Sequence, residues 1–266
     1  MPAAIGQSLE SDRLSWPIEF VAPDLSDRSR PDGRSRGGAS RRGSCALSNA
    51  QPPLTALVPS TLMQQPTSQN FIAENAPGAE EEISTTPAEV VLSLTTHTHP
   101  TFWFYVPYRL DGSMALEFVL QDAEGNTLYQ IQLTPEANDS GILGVSLPDS
   151  SPALATATPY RWFLIAYCDA ASPVFVEGWM ERVELTAATL EQLEQATLAQ
   201  KATIYANQGI WQDALMILGS LYLDNPKSNA IAADWSTLLE SAGLEILIRE
   251  RFLPIFDIEH IDSFSS

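Results

Sequence analysis

The sequence contains few of the residues from which compact chemical sites are built. Its 266 residues include only two cysteines and three histidines. Two cysteines exclude a disulfide-rich scaffold and a four-cysteine metal cluster. No run approaches the roughly 20 consecutive apolar residues of a membrane helix, and the first residues lack the basic start and apolar stretch of an export signal. The chain as written therefore predicts neither a membrane span nor a signal peptide.

Basic residues are also scarce, and they are unevenly placed. Lys and Arg number 14 against 33 Asp and Glu, which gives a formal net charge of −19. Such an acidic body repels phosphate backbones and is a poor nucleic-acid binder. One short segment is basic and is a candidate contact for an anionic surface, although a soluble tether is the alternative. Its arginines are Arg28, Arg30, Arg34, Arg36, Arg41 and Arg42.

The two ends of the chain predict little regular structure. Residues 1–53 are rich in Arg, Gly and Ser and predict a disordered leader. Residues 54–87 predict an irregular linker, in which the apolar stretch 54–59 is a candidate edge strand. Residues 253–266 alternate apolar and acidic side chains. This tail is expected either to fold back along a sheet edge or to serve as a docking peptide.

The middle of the chain predicts a β domain. Residues 88–185 contain short β-rich runs separated by turn residues, which is typical of an antiparallel, immunoglobulin-like β-sandwich. Asp111-Gly112 and Glu124-Gly125-Asn126 are typical of hairpin turns. Residues 101–106 carry aromatic side chains on both faces, whereas a strand with one wet face alternates. We therefore expect another layer over this strand.

Two later runs share this two-sided apolarity, and helices follow them. The runs are residues 160–168 and 174–180, so the helices of residues 186–252 are the expected cover for all three strands. Their periodicity predicts a helix from 186 to 207, a second from 211 to about 223 and a third over about 231–242. The fold class is therefore α+β.

The first two helices resemble a tetratricopeptide hairpin. The small, aromatic, turn, small, bulky and helix-stopping positions of that repeat fall, in this order, on Ala202, Tyr205, Gly209, Ala214, Leu218 and Pro226. Such repeats usually need about three copies to be stable alone, and no second complete copy follows. The hairpin is therefore expected to pack on the sandwich.

Candidate metal ligands are limited to one pair of histidines. His97 and His99 lie two residues apart and would share one face of a strand, which suits a metal ion if a third ligand is near. The alternative is a polar entrance to the strand.

Candidate catalytic carboxylates are limited to one strand. Glu177 and Glu181 would face the same side and could serve glycoside hydrolysis, which needs two carboxyl groups about 5–10 Å apart. The alternative is an ion pair of Glu177 with Arg161 or Arg182. No nucleophile motif and no phosphate-binding loop occur.

Several landmarks along the chain together resemble one known family. They are the Gly/Arg-rich leader ending at Cys45, residues 54–59 and 99–107, Tyr160-Arg161-Trp162, Cys168, Val176-Glu177-Gly178-Trp179, residues 209–214 and Asp234-Trp235. The family is a group of cyanobacterial proteins known as a domain of unknown function, DUF928. The resemblance implies a cyanobacterial origin and, because such proteins commonly begin with an export signal, a location in the periplasm or at the cell surface. It implies no activity.

An exported protein would be expected to join Cys45 and Cys168 in a disulfide that anchors the leader to the sandwich, with two unpaired thiols as the alternative. The favoured function is a non-enzymatic binding or scaffold protein without a cofactor, whose partner is another protein or an anionic envelope polymer. The alternative is a hydrolase using Glu177 and Glu181, or a metal site at His97 and His99.

Overall fold

The computed structural model describes residues 18–23, 35–36, 50, 52–66, 85–109, 115–133, 139–167 and 173–253. These residues form an α+β protein, as the sequence predicts. The strands are β1 Thr55–Ala56, β2 Ser60–Pro66, β3 Thr85–Thr95, β4 Thr101–Val106, β5 Ala115–Gln121, β6 Thr127–Leu133, β7 Gly141–Ser146, β8 Pro159–Tyr167 and β9 Val174–Arg182. The helices are α1 Ala187–Gln195, α2 Leu198–Asn207, α3 Trp211–Asp224 and α4 Asn229–Ser241, followed by a 3₁₀ turn at Glu245–Leu247. Within these ranges, no helix combines the length and the apolarity needed to cross a membrane.

The strands form two sheets that pack face to face. A small sheet has the order β1-β4-β7, and a large sheet has the order β2-β3-β9-β8-β5-β6. Phe102 and Phe104 of β4 contact Phe118 of β5 and Trp162 of β8, with ring centroids 4.8 to 6.3 Å apart. Because each aromatic ring buries a large apolar area, these rings contribute strongly to the packing between the sheets.

The strand pairing differs from the sequence prediction in two places. β3 and β9 pair in parallel, with Leu92 opposite Trp179, so the large sheet is not purely antiparallel. The turn predicted at Asp111-Gly112 lies outside the described residues, but its flanking strands β4 and β5 belong to different sheets. The hairpin predicted there is wrong, because β4 is a central strand of the small sheet and pairs with β1 and β7.

The second predicted hairpin is confirmed. β5 and β6 pair antiparallel across the turn at Glu124-Gly125-Asn126. Gly125 has φ +86°, a conformation that residues with a Cβ rarely adopt. Asp122 closes the turn, since its carboxylate accepts the backbone N–H of Asn126 at 2.8 Å.

The helices cover the small sheet, and α3 also contacts β3 of the large sheet. Trp103 of β4 points away from the large sheet, and its ring lies 5.8 Å from the ring of Phe252. A Cβ added to Gly219 of α3 would lie 3.1 Å from the Trp103 ring, so helix and strand approach closely. β4 is buried along its whole length, which confirms the predicted cover for this strand. Along β8 and β9, burial alternates. Helical cover over these two strands is therefore a wrong prediction, because α3 packs on β3 and β4.

The predicted first helix is two helices. The Thr197 hydroxyl accepts the backbone N–H of Gln200, and the Gln200 side chain accepts the backbone N–H of Thr197. This capping box starts α2 and separates it from α1. α2 and α3 then pack against each other. Their assignment to a tetratricopeptide repeat, like that of the sheets to an immunoglobulin-like sandwich, stays a prediction.

Part of the span predicted as a leader packs on the helices. Ile18 is 1% exposed, and the Phe20 ring meets the Trp211 ring edge to face with centroids 5.0 Å apart. Val21 donates its N–H to the carbonyl of Ala206 at 3.1 Å. Gly209 permits this approach, because an added Cβ would lie 2.9 Å from the Val21 carbonyl oxygen. Sequence periodicity missed this segment because six residues are too few to show a periodic pattern of apolar side chains.

Both edges of the small sheet are extended by further segments. Arg36 forms an antiparallel bridge with Thr55 of β1, and Phe252 forms a parallel bridge with Ile142 of β7. The outer edges of the large sheet, β2 and β6, carry no such bridge within the part of the chain that the structure describes. The two sheets therefore differ in how their edges are covered.

Candidate functional site

The first turn of α3 contains three consecutive buried residues that each bond to a different segment. Trp211 Nε1 donates at 2.7 Å to the carbonyl of Leu57, the residue that follows β1. The Gln212 side-chain amide donates to the Thr101 carbonyl at the start of β4. The Asp213 carboxylate accepts hydrogen bonds at the end of β3. This turn therefore joins the helices to both sheets.

Asp213 is the centre of a polar network that we call the Asp213 corner, formed with Thr95, Thr96, His97 and Arg182. The Asp213 side chain is 1% exposed. Oδ1 accepts the Thr95 hydroxyl at 2.6 Å, and Oδ2 accepts the Thr96 backbone N–H at 3.0 Å and the Thr96 hydroxyl. The position in the first turn also favours a negative charge through the helix dipole. Both carboxylate oxygens therefore have donors, as is usual for a buried polar group.

His97 belongs to this corner. Its Nδ1 lies 3.2 Å from Asp213 Oδ2. The Asp213 carboxylate beside it raises the pKa of His97 above its ordinary value, while burial and the charge of Arg182 act in the opposite direction. Arg182 itself donates from Nε to the Thr96 carbonyl and from Nη1 to the Leu154 carbonyl, both at 3.1 Å.

His99 lies in a different environment. Its Nε2 is 3.1 Å from the Ser151 carbonyl oxygen, and its Nδ1 is 3.6 Å from the Asp149 carboxylate. β3 ends before both histidines, so they do not share a strand face, and each contacts a different acidic residue. Among the described residues, no group of three or more His, Cys, Asp or Glu is placed to hold a metal ion. The geometry thus gives His97 and His99 no common site.

Glu177 and Glu181 are not brought together as a catalytic pair. They lie four residues apart on one face of β9, and a strand rises about 3.3 Å per residue, so their Cα atoms are about 13 Å apart. Paired carboxylates of glycosidases lie about 5–10 Å apart. Arg161 Nη2 donates to Glu177 Oε2, which confirms the alternative ion pair. Nothing in the geometry supports hydrolysis at these residues.

A second candidate region is the side of β5, β8 and β9 that points away from the small sheet, here called the outer face. Its residues alternate with the core residues along each strand, and all but Val119 are half-buried. They include Glu117, Val119, Arg161, Phe163, Ile165, Tyr167, Phe175, Glu177 and Trp179.

Charged and aromatic groups of the outer face contact one another. The Arg161 guanidinium lies 4.8 Å from the centre of the Phe163 ring and 5.9 Å from that of the Trp179 ring. Glu117 accepts the Tyr167 hydroxyl at 2.6 Å, and this bond is the largest cause of the raised pKa of Tyr167. The outer face is thus a surface of mixed aromatic and charged side chains.

A shallow groove of about 390 Å³ lies between α1 and α2. Its polar lining consists of Gln192, Gln195, Gln200, Thr203 and Asn207. These residues do not titrate near neutral pH, so this groove contains no group for acid–base catalysis.

Several sequence candidates lie outside the described residues. They are Cys45 and Cys168, the arginines Arg28, Arg30, Arg34, Arg41 and Arg42, and the tail from residue 254 onward. The Cys45–Cys168 disulfide and the anionic-surface contact therefore stay predictions. Sequence reasoning missed Asp213, although an acidic residue in the first turn of an otherwise apolar helical hairpin is a signal that could have indicated it.

The described residues define an α+β protein whose two sheets are joined to a helical layer through the first turn of α3. Residues 36–252 match the family model of the Domain of Unknown Function DUF928. The match covers most of the chain, so the chain belongs to the DUF928 family, as the sequence landmarks predicted. No curated protein matches the chain.

Proposed function

We propose that this chain is a non-enzymatic binding or scaffold protein that acts in the periplasm or at the cell surface, and that its outer face binds another protein. The observation that carries the proposal is a contiguous group of half-buried apolar side chains on this face, opposite a fully buried inner face. Contiguous apolar surface framed by polar residues is typical of interaction sites.

The apolar side chains are contiguous because the strand register places them side by side. Phe163 of β8 lies opposite Val119 of β5, and Ile165 lies opposite Phe175 of β9. Tyr167 continues the same row on β8. These residues therefore form one patch that crosses three neighbouring strands.

The composition of the patch favours a protein partner over a polymer. Aromatic residues and Arg are enriched at the centres of protein interfaces, and Trp, Tyr and Arg often contribute most of the binding energy. Here Arg161 packs on Phe163 and lies near Trp179. Acidic residues on the same face, including Glu117 and Glu177, favour a partner with a basic rim around its contact.

Capture from extracts of the native source with the immobilised full-length chain tests the proposal. A protein retained by the wild type should be reduced roughly tenfold by Phe163→Ser, since loss of a central aromatic residue costs at least about 1–2 kcal/mol of binding. The matched control is Leu190→Ser, an apolar residue of α1 that is 49% exposed and lies away from the outer face. Equal retention by all three chains contradicts the proposal.

Co-sedimentation with purified envelope polymer is the second arm of this experiment. If the wild type and Leu190→Ser sediment with the polymer and Phe163→Ser does not, the polymer is the partner of the outer face. If Phe163→Ser changes neither arm, the outer face is not the binding surface.

We also infer the finer fold assignment, an immunoglobulin-like sandwich with a tetratricopeptide-like hairpin. Ala202 and Ala214 are fully buried where the repeat has small residues. Gly209 has φ +73° where the repeat turns. These positions support the alignment of α2 and α3 with the repeat.

A further inference from the structure

The edge strand β6 has features of a strand that pairs with another strand. Within the described residues its one partner is β5, and its other edge carries no bridge. An edge presents a row of backbone donors and acceptors, and natural proteins usually protect such edges. Both edges of the small sheet are extended, at Thr55 and at Ile142, so β6 differs from them.

The sequence of β6 carries little of the usual protection. Its seven residues, Thr-Leu-Tyr-Gln-Ile-Gln-Leu, include no charged residue and no proline. Lysine, proline and inward-pointing charges are the common protective devices, together with β-bulges. One irregularity is present, since Gln121 pairs with Thr127 and Leu120 with Tyr129, which leaves Leu128 as an extra residue. Beyond it, Tyr129 to Leu133 pair with β5 in regular register.

We propose that β6 pairs antiparallel with β6 of a second copy of this chain, about a two-fold axis at Gln130. Gln130 is the middle residue of the strand, so this register pairs Tyr129, Gln130 and Ile131 of both copies within the regular part and places the extra residue Leu128 opposite the partner subunit's Gln132. Tyr129 then lies opposite the partner subunit's Ile131, and Ile131 opposite the partner subunit's Tyr129. Aromatic and β-branched residues form favourable cross-strand pairs.

The exposure of the strand agrees with this register. Tyr129 and Ile131 are half-buried beside the core, and a second strand would bury them further. Gln130 and Gln132 are exposed on the opposite side. The Gln130 amide donates to Glu117 at 2.6 Å, and its carbonyl oxygen is left to accept a bond from the partner subunit's Gln130. The strand is therefore complementary to itself on both sides.

The net charge makes the pairing weak and dependent on salt. Each copy carries a formal charge of −19, so two copies repel each other. Salt screens this repulsion, while backbone hydrogen bonds and apolar burial are much less affected. The dimer should therefore become stronger as the ionic strength rises, which is the opposite of an association driven by unlike charges.

Sedimentation velocity of the full chain, over concentrations from about 5 to 500 µM, tests this dimer. The range suits a small interface, which is expected to be weak. We expect a monomer–dimer equilibrium with more dimer at about 0.5 M than at about 0.05 M salt. A monomer under all these conditions overturns the proposal and indicates that β6 is covered within one copy or stays single.

Charge changes at Gln130 provide the specific test. Gln130→Lys and Gln130→Glu each place two like charges about 5 Å apart across the axis, which should raise the dissociation constant tenfold or more. An equimolar mixture of the two variants places opposite charges together and should restore the dimer. Gln195→Lys and Gln195→Glu change the same charge at an exposed site of α1 and should have no effect.

Circular dichroism of each variant separates loss of pairing from loss of folding. If a Gln130 variant is unfolded, Gln132→Lys and Gln132→Glu replace it, since each would place a charge opposite the partner subunit's Leu128 and should weaken the dimer. A dimer that all these charge changes leave intact, or a mixture that stays monomeric, overturns the assignment to β6. The dimer does not depend on the binding proposed for the outer face.

Discussion

The first turn of α3 and the outer face of the large sheet carry similar residue types in opposite environments. The Asp213 side chain is 1% exposed, and both of its oxygens accept hydrogen bonds from the end of β3. The Glu177 side chain is 16% exposed and pairs with Arg161, whose side chain is 39% exposed. A buried carboxylate with filled acceptor positions fixes the arrangement of the layers, whereas a partly exposed pair contributes little to stability and leaves the surface adaptable.

This difference shows that residue type alone does not identify a working site. His97 and Glu177 are the residues that a search for chemistry selects first, and both have partners within the fold. The criterion that separates structure from function here is how many of a group's bonding positions are already used. By this criterion Asp213, whose two oxygens both accept hydrogen bonds, serves the fold, whereas the outer face is where we propose that a partner binds.

The largest expected effect is that of Asp213→Ala. The substitution leaves the buried Thr95 hydroxyl and the half-buried donors of Thr96 without their acceptor, so it should lower the free energy of unfolding by about 3–5 kcal/mol. Urea denaturation measures this change. Asp224→Ala, at the exposed end of α3, should change it by no more than about 0.5 kcal/mol. Similar losses for the two variants would mean that the Asp213 corner does not hold the layers together.

The next largest effect is the difference in unfolding free energy between substitutions on the two faces of one strand. Leu164 of β8 is fully buried, and its neighbour Ile165 is half-buried on the outer face. Leu164→Ala should cost about 2–5 kcal/mol of unfolding free energy, because it leaves a cavity. Ile165→Ala should cost less than about 1 kcal/mol. If thermal or urea unfolding gives equal costs, another part of the chain covers the outer face, and a docking surface there is wrong.

The smallest expected effect is the change in stability with pH that His97 causes. Its pKa in the folded chain is raised above the ordinary 6.5, so its contribution to stability is fully present below pH 6.5. The contribution is lost as the pH rises through the folded pKa. It should be small because the side chain is 41% exposed. The melting temperature of the wild type minus that of His97→Gln should therefore fall across this range, and a flat or rising difference contradicts the contact with Asp213.

The sequence predicted those features that depend on neighbouring residues. The hairpin at Gly125 follows from local turn chemistry, and the cover over β4 follows from aromatic side chains on both of its faces. The Asp213 corner was missed because Asp213 and Thr95 are 118 residues apart and no local period links them. The parallel pairing of β3 with β9 was missed for the same reason, since no turn connects the two strands and fixes their direction.

The candidate site was harder to predict than the fold. The sequence predicted that His97 and His99 would share a face, but β3 ends at Thr95, so strand alternation does not apply to them. Same-face alternation does apply to Glu177 and Glu181, but four residues at about 3.3 Å per residue place their Cα atoms about 13 Å apart, so the spacing itself argues against a catalytic pair. The ion pair of Glu177 with Arg161 was predictable because both residues lie on apolar strands, where a charge needs a partner.

The segment of residues 18–23 has a practical consequence for anyone who prepares this protein. It lies ahead of the part of the chain that the family shares, yet Ile18 is 1% exposed and Phe20 contacts Trp211. A shortened chain that begins at residue 36 would expose the edge of the Trp211 ring and the surface beneath Ile18. Such a chain is expected to aggregate during purification, and an affinity tag should be placed ahead of residue 18 with a spacer.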